Sequence, residues 1–220
     1  MPAKFLSMPI NWLRKAFEDG GVPQGDKLSQ FQADVATQGM FISNDMFWKQ
    51  AKELTDDQVG ELYDKIFKGF DGDEFDRTKL SRSKQLKKIS SALTYNENPD
   101  SLFNQVLNKG NFDEGTILQL LFRSPFVSAL AGKTIRKVFI NSNLSGSDAV
   151  MLNPGAAAAV DADYDGDQGG IRGGWHYSDE AKKLLNLTAQ SEEELNKKLS
   201  FYKLQSIMSD AGYKWENGHF

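Results

Sequence analysis

The apolar residues in the first half of the chain recur mainly at intervals of three and four, which is the spacing of one face of a helix. They form four groups: Trp12 and Phe17; Leu28, Phe31 and Val35; Met46, Phe47, Ala51 and Leu54; and Val59, Leu62, Tyr63, Ile66 and Phe67. The pattern predicts that residues 1–115 are mainly helical and act as a scaffold or docking region.

Two segments of this region carry signals that begin and end helices. Thr55 and Gln58 have the spacing of a capping box, which predicts a helix that begins directly after Thr55. In the segment NPDSLFNQVLNKG, Asp100 is the predicted N-cap and Gly110 the predicted end. Between them, apolar residues in the range 102–107 predict one buried face.

Beyond residue 115 the pattern becomes that of a sheet. TIRKVFINSNL alternates and is rich in β-branched and aromatic residues, and DAVMLNPGAAAAV is a short apolar stretch broken by Asn-Pro-Gly. Glycines then crowd residues 166–174. These features predict a compact β region over residues 116–177.

Helical spacing returns after the β region. Ser191 and Glu194 form a second predicted capping box, and Leu195, Leu199 and Tyr202 share one face. Residues 178–220 are therefore predicted to be C-terminal helices. The whole order predicts an α+β protein with a helical N-terminal half, a β region and C-terminal helices.

The composition is that of an ordinary globular protein, and it narrows the chemistry. The 220 residues are 40 % hydrophobic and 25 % charged, with a formal net charge of −4, so any contact with nucleic acid has to be local. The absence of cysteine excludes disulfides, thiolate nucleophiles and cysteine-ligated zinc. With 2 histidines, a histidine-rich metal site or a histidine-based triad is disfavoured.

The first residues, MPAKFLSMPINWLRKAFEDGG, contain only short apolar runs interrupted by polar and charged residues. Such a segment resembles neither a signal peptide nor a membrane span. The expectation is a soluble, intracellular protein that is not secreted and has no membrane partner.

A basic stretch, RTKLSRSKQLKK, contains six cations and no acidic residue. The six are Arg77, Lys79, Arg82, Lys84, Lys87 and Lys88. They could neutralise phosphates, with the intervening Ser and Gln side chains bonding a nucleic-acid backbone. A solvated helix face or exposed loop explains the run equally well, so both interpretations stay open.

An acidic motif, VDADYDGDQGG, places Asp161, Asp163, Asp165 and Asp167 at every second position. In an extended segment such residues point to one side, so their charges are concentrated. A hard divalent cation relieves this repulsion because Mg²⁺ and Ca²⁺ prefer oxygen ligands. Gly166 would let the loop bend so that several oxygens converge on one ion. The motif therefore predicts a metal site.

The acidic motif could instead belong to an EF-hand or to a surface loop that binds no ion. An EF-hand requires a bidentate Glu at the twelfth position of the loop, but that position holds Arg172, and no helical pattern precedes the loop. An acidic surface loop without an ion remains open, although the flanking AAAAV and glycines favour a semi-buried turn, where unpaired charge is costly.

The segment DADYDGDQ resembles the NADFDGDQ signature of the largest, β′-like subunit of multisubunit DNA-dependent RNA polymerases. Upstream, LFRSPF resembles the family's Arg-X-Pro element, VMLNPGAAAAV its apolar strand before the metal loop, and SDEAKKLL its following helix start. The resemblance covers about residues 118–186. It implies a double-psi β-barrel in residues 116–177.

The resemblance also implies roles for particular residues. Asp163, Asp165 and Asp167 would bind the catalytic Mg²⁺, and Arg123 would face the ribose of the incoming nucleotide or the RNA end. Asp161 replaces the family's Asn, and Gly169-Gly170 replaces its Met-Ala. The Gly169-Gly170 departure suggests a divergent, phage-type enzyme, which would be located in the infected host cytoplasm or in the virion.

A 220-residue chain with one predicted barrel cannot enclose a template, a hybrid and a nucleotide. The expected function is therefore that of a subunit or fragment of a split DNA-dependent RNA polymerase, a nucleotidyltransferase active only with partner chains. The partners would be a β-like chain, the remaining β′-like part, template DNA, RNA and NTPs. Two rivals are a non-enzymatic phage structural or virion protein with an ion-binding loop, and a metal-dependent nuclease.

Overall fold

The computed structural model describes residues 2–18, 25–112, 119–123, 132–135, 137–144, 148–153, 157 and 168–173. These residues form an α+β fold, as predicted. The six described helices are α1 (Ile10–Glu18), α2 (Lys27–Gln38), α3 (Asn44–Ala51), α4 (Asp56–Ile66), α5 (Arg82–Leu93) and α6 (Leu102–Lys109). The described strands are β1 (Pro2–Ser7), β2 (Gly39–Ile42), β3 (Gln119–Arg123), β4 (Gly132–Ile135), β5 (Lys137–Ile140), β6 (Ala149–Leu152) and β7 (Gln168–Gly173). The predicted C-terminal helices lie outside the described residues.

Four helices, α2, α3, α4 and α6, begin after a polar side chain that accepts a hydrogen bond from an amide of the first turn. At α4, the Thr55 hydroxyl accepts from the Gln58 amide, and the Gln58 side chain accepts from the Thr55 amide at 2.9 Å. The predicted capping box is therefore confirmed.

None of the six described helices is long and apolar enough to cross a membrane.

The prediction for α6 was right at its end and wrong at its start. Gly110 adopts the left-handed conformation, with φ of 78°, and ends the helix as predicted. The N-cap is Ser101 instead of Asp100: the Ser101 hydroxyl accepts from the Asn104 amide at 3.2 Å. Asp100 lies one residue too early, in a turn where its own amide donates to the Asn98 side chain.

The strands form one mixed sheet in the order β4-β3-β7-β1-β6-β2-β5. Four of them, β1, β6, β2 and β5, form a mixed unit in which β1 is parallel to β6, β6 is antiparallel to β2, and β2 is parallel to β5. Strands β7, β3 and β4 continue the sheet with antiparallel pairing. The sheet therefore contains strands from both the predicted helical region and the predicted β region.

Strand β2 follows α2 without any loop, and Gly39 makes this junction fit. A Cβ atom at Gly39 would lie 2.8 Å from the Val35 Cα and 2.9 Å from the Lys137 carbonyl oxygen. Both separations are shorter than a Cβ atom can tolerate. The close approach of α2 to β5 therefore depends on the missing side chain at Gly39.

The two outer strands in this order, β4 and β5, are neighbours in the sequence. Strand β4 ends at Ile135 and β5 begins at Lys137, yet five strands lie between them in the sheet order. No hydrogen-bonded pair joins β4 to β5 among the described strands. The described sheet is therefore open, and the predicted double-psi barrel is not seen in it.

One hydrophobic core joins the helices to the sheet. Its centre is a group of aromatic side chains: Trp12, Phe31, Phe41, Tyr95, Phe103, Phe112 and Phe139. Phe31 of α2 packs edge-to-face on Phe103 of α6, at 5.0 Å between ring centroids, and on Phe139 of β5, at 4.6 Å. Helices of the first half and a strand beyond residue 115 are thus stabilised by the same contacts.

Candidate metal centre

The acidic motif meets the described structure at β7. Asp163, Asp165 and Asp167 lie outside the described residues, and β7 begins at Gln168, directly after Asp167. Among the residues that the structure does describe, no group of three or more His, Asp or Glu side chains could hold a metal ion. The described structure therefore places the strand that follows the motif, and the metal site itself stays a prediction.

Strand β7 lies in the interior of the sheet, antiparallel to β3 on one side and to β1 on the other. Gly169, the second residue of β7, pairs with Arg123 of β3 and with Ala3 of β1. Cα atoms of directly paired residues in antiparallel strands lie about 4.5–5.5 Å apart. The backbone of Arg123 is thus placed beside a residue that follows Asp167 by two positions.

Strand β1 adds a residue that the sequence pattern does not identify. Lys4 pairs with Gln168 of β7, the residue that immediately follows Asp167. The Lys4 side chain is exposed, whereas that of the next residue, Phe5, is 4 % exposed and belongs to the core. No local sequence signal reveals this placement, because it depends on pairing between residues more than 160 positions apart.

Two cations of the basic stretch form ion pairs next to α4. Arg77 Nε lies 3.0 Å from Asp64 Oδ1. Lys79 Nζ lies 2.6 Å from Asp73 Oδ1 and 3.8 Å from Asp76 Oδ2. These contacts connect the segment before α5 to α4 and to the turn that follows α4.

Two further cations of the stretch also have local partners. Arg82 Nε lies 2.9 Å from Asp56 Oδ1, and its Nη2 donates to the Leu54 carbonyl at 2.6 Å. Lys88 Nζ lies 4.2 Å from the centroid of the Phe75 ring, in a cation–π contact. These interactions orient the start and the middle of α5.

Lys84 and Lys87 are the remaining cations of the stretch. Both are exposed on α5, and neither has an ion-pair partner among the described residues. An exposed lysine without a carboxylate partner can contact phosphate without first breaking an ion pair. Of the six predicted contacts, these two are the best suited to nucleic acid.

Clear pKa shifts of buried tyrosines occur away from β7. Burial raises the pKa of Tyr95 to about 12; its hydroxyl accepts from Gln32 Nε2 and donates to Glu97 Oε1, both at 2.8 Å. Burial, and then Asp64 and Asp76, raise the pKa of Tyr63. Tyr63 lies in the hydrophobic core, and Tyr95 is partly buried and packs against it.

A cleft of about 130 Å³ opens between α2, α6 and β5. Phe31, Val35 and Phe139 form part of its apolar lining, and an ion pair between Lys137 and Asp34 lies beside them. Neither β7 nor the strands that pair with it contribute to this cleft. It is therefore separate from the described strands around the start of β7.

The structure thus places the backbone of Arg123 beside the first residues of β7, while the three aspartates lie outside the described residues. Lys84 and Lys87, the two lysines of the basic stretch with neither an ion pair nor a ring contact in the described part of the chain, lie on α5, a helix outside that sheet. No protein-family model matches the sequence, and no curated protein matches it significantly.

Proposed function

We propose that this chain is a subunit or fragment of a split DNA-dependent RNA polymerase of β′ type and that it provides the aspartates that bind the catalytic Mg²⁺. The observation that carries the proposal is the junction between the acidic motif and β7. The motif leads directly into an interior strand whose second residue pairs with Arg123. Two separate sequence segments carry the resemblance to the polymerase family. The described residues of these two segments pair with each other in the sheet.

The donor set suits Mg²⁺. Asp163, Asp165 and Asp167 offer carboxylate oxygens, which are the ligands that this hard cation prefers, and no softer histidine or cysteine ligand lies within the motif. When bound, Mg²⁺ would supply Lewis-acid stabilisation of charge at an RNA 3′-hydroxyl and the nucleotide phosphates. The three aspartates are the residues that would hold it.

Arg123 is proposed to position the substrate. A guanidinium remains charged at every working pH and donates several hydrogen bonds in a fixed geometry, which suits ribose hydroxyls and phosphate oxygens. The register with Gly169 keeps the Arg123 backbone close to the motif. Its proposed role is to hold the nucleotide or the RNA end in place for reaction.

The strand order supports the barrel part of the proposal. The ends of β4 and β5 are joined through a single residue, which spans at most about 7 Å between Ile135 and Lys137. These strands stand at opposite edges of the sheet order. The described strands form an open sheet, and a connection this short between its two edge strands is what the proposed barrel would require.

The proposed enzyme needs other chains. The sequence contains one predicted metal motif, and a chain of 220 residues is too small to surround a template, an RNA hybrid and a nucleotide. The proposed partners are a β-like chain, the remaining β′-like part, template DNA, RNA and NTPs. The proposed location is the infected host cytoplasm or the virion.

Primer extension tests this function. The complex that copurifies with the chain should extend an RNA primer on a DNA template in the presence of Mg²⁺. Asp165→Asn should reduce extension by at least about 100-fold, because even residues that only support a metal ligand typically contribute 10- to 100-fold. Asp161→Asn, which removes an equal charge outside the proposed triad, is the matched control and should retain most of the activity.

A metal-dependent nuclease is a second candidate, favoured by Lys4. Such enzymes commonly place a basic group near their acids, and Lys4 pairs with the residue that follows Asp167. The same complex incubated with end-labelled RNA and no NTPs distinguishes the two functions. Mg²⁺-dependent shortening of the RNA without extension would support the nuclease. If neither reaction occurs, the structural protein is the remaining candidate.

A further inference from the structure

The cleft between α2, α6 and β5 has an apolar wall that the core already holds in place. Three phenylalanines line it, namely Phe31, Phe112 and Phe139. Their rings pack on one another: Phe139 lies 4.6 Å from Phe31 and 5.0 Å from Phe112, between ring centroids, and both contacts are edge-to-face. The three residues are only 1–6 % exposed. The wall therefore does not have to form when a ligand binds, which lowers the cost of binding.

The size of the cleft limits what it can hold. Its volume is about 130 Å³. An apolar cavity of about 150 Å³ holds one benzene molecule, whereas pockets for larger small molecules measure about 300–1,000 Å³. A group with a single ring therefore fits the cleft, and a complete nucleotide is too large for it.

The charged side chains that line the cleft do not cancel each other. They are Lys27 and Asp34 of α2 and Lys137 of β5. Lys137 and Asp34 form an ion pair, in which the two side chains are 17 % and 37 % exposed. Their charges neutralise each other. The lining thus carries a net charge of one positive unit, which belongs to Lys27.

Lys27 is oriented by one hydrogen bond to the end of α6. Its ammonium donates to the Asn108 carbonyl at 2.5 Å. In the described part of the chain no carboxylate forms an ion pair with it. The preceding acid, Asp26, instead caps α2 by accepting from the Ser29 amide at 2.9 Å. Because an ammonium has three donors, an anionic group can bind Lys27 without first breaking an ion pair.

We propose that the cleft binds a single-ring aromatic carboxylate, with the ring against the phenylalanines and the carboxylate on the Lys27 ammonium. Aromatic rings pack favourably edge-to-face, and a hydrogen bond between an ammonium and a carboxylate is strengthened by both charges. The proposal does not rest on the function proposed above, because the cleft shares no residue with β7 or with the strands that pair with it.

The competing ligand is an aromatic amine held by Asp34. Such a ligand would have to displace Lys137 from the Asp34 carboxylate, so it loses one ion pair for each that it gains. The two ligand classes predict opposite preferences between a negative and a positive probe of the same size.

A titration of the isotopically labelled full chain, followed by NMR, is the test. The probes are phenylacetate, phenylacetamide, which has the same shape without the charge, and phenethylamine. Phenylacetate should bind with a Kd of about 1–10 mM, the range typical of so small a ligand. It should shift the amide signals of Gln30 and Gly110, which line the cleft. Phenylacetamide should bind about 10-fold more weakly, because it lacks the charged hydrogen bond, and phenethylamine should bind no better than phenylacetamide.

Substitutions of Lys27 test the contact with the carboxylate. Lys27→Gln should weaken phenylacetate binding by about 10-fold and leave phenylacetamide binding unchanged. Lys27→Arg should retain phenylacetate binding, because it keeps the charge. Lys68→Gln is the matched control, since it removes an exposed lysine that does not line the cleft, and it should bind every probe as wild type does.

The comparison of the three probes on wild type requires no variant, so it remains decisive even if a Lys27 variant is unstable. The proposal is overturned if phenylacetamide or phenethylamine binds as tightly as phenylacetate, or if Lys27→Gln binds phenylacetate as Lys68→Gln does. It is also overturned if phenylacetate does not shift the signals of the cleft residues.

Discussion

Arg82 shows that a cation of the basic stretch can stabilise the fold through its own hydrogen bonds. Its guanidinium donates to the carbonyls of Ala51 and Leu54 at the end of α3 and pairs with Asp56 at the start of α4. It thereby satisfies carbonyl oxygens at the end of a helix, which lack partners within the helix itself. The charge of Arg82 therefore contributes to the connection between α3, α4 and α5.

Lys84 and Lys87 should act differently from Arg82. If they contact phosphate, Lys84→Gln with Lys87→Gln should lower the slope of log affinity against log salt for duplex nucleic acid by about 2 units. The free energy of unfolding should change by less than about 0.5 kcal/mol, because both side chains are exposed. Salt-dependent fluorescence anisotropy with the copurified complex measures the slope.

Arg82→Gln is the converse variant in the same experiment. It should cost about 1–2 kcal/mol of unfolding free energy through its lost hydrogen bonds to carbonyl oxygens. An unchanged salt slope in the double lysine variant would mean that α5 is a solvated helix face and that the stretch has no nucleic-acid role.

At the scale of elements, the start of α6 depends on which residue caps its first turn. Ser101→Ala should destabilise the protein by about 1 kcal/mol, because the Ser101 hydroxyl accepts from the Asn104 amide. Asp100→Ala is the matched control and should cost less than about 0.5 kcal/mol, since its exposed side chain caps no helix. Urea unfolding measures both. A larger loss for Asp100→Ala would contradict the assigned cap.

Elements were predictable from the sequence where their signals are local. The capping box at Thr55 and the left-handed end at Gly110 involve residues a few positions apart, and both predictions are confirmed. Strand β2 was missed because its four residues are all buried, so the apolar–polar alternation of a half-exposed strand is absent. Strand β1 was missed because it pairs with segments more than 140 residues away.

The same distinction applies to the site. The aspartate motif is compact, so its chemistry can be inferred from spacing alone. Arg123 was identified through a resemblance, and its register beside Gly169 came only from the pairing of β3 with β7. Lys4 carries no motif at all, and its proximity to the end of the acidic motif follows only from the sheet.

At the scale of the whole molecule, the helices and the sheet share one core. Rings from α2, α6 and β5 contact each other, and β1 and β2 lie in the same sheet as strands from beyond residue 115. The first half of the chain therefore helps to build the sheet that contains β7, the strand after the acidic motif. Substitutions in its core should affect the site through stability instead of through contact with substrate.

The most direct test is to locate the bound metal by iron-mediated cleavage. Fe²⁺ substituted for Mg²⁺ in the copurified complex reduces added hydrogen peroxide to hydroxyl radicals, with ascorbate to regenerate Fe²⁺, and these radicals cut the chain beside the ion. We expect cuts within residues 161–169 and in the paired segments near Arg123 and Lys4, all suppressed by excess Mg²⁺ and absent in Asp165→Asn. Cuts confined to another acidic segment, such as residues 71–76, or no specific cuts, would contradict a metal centre at the start of β7.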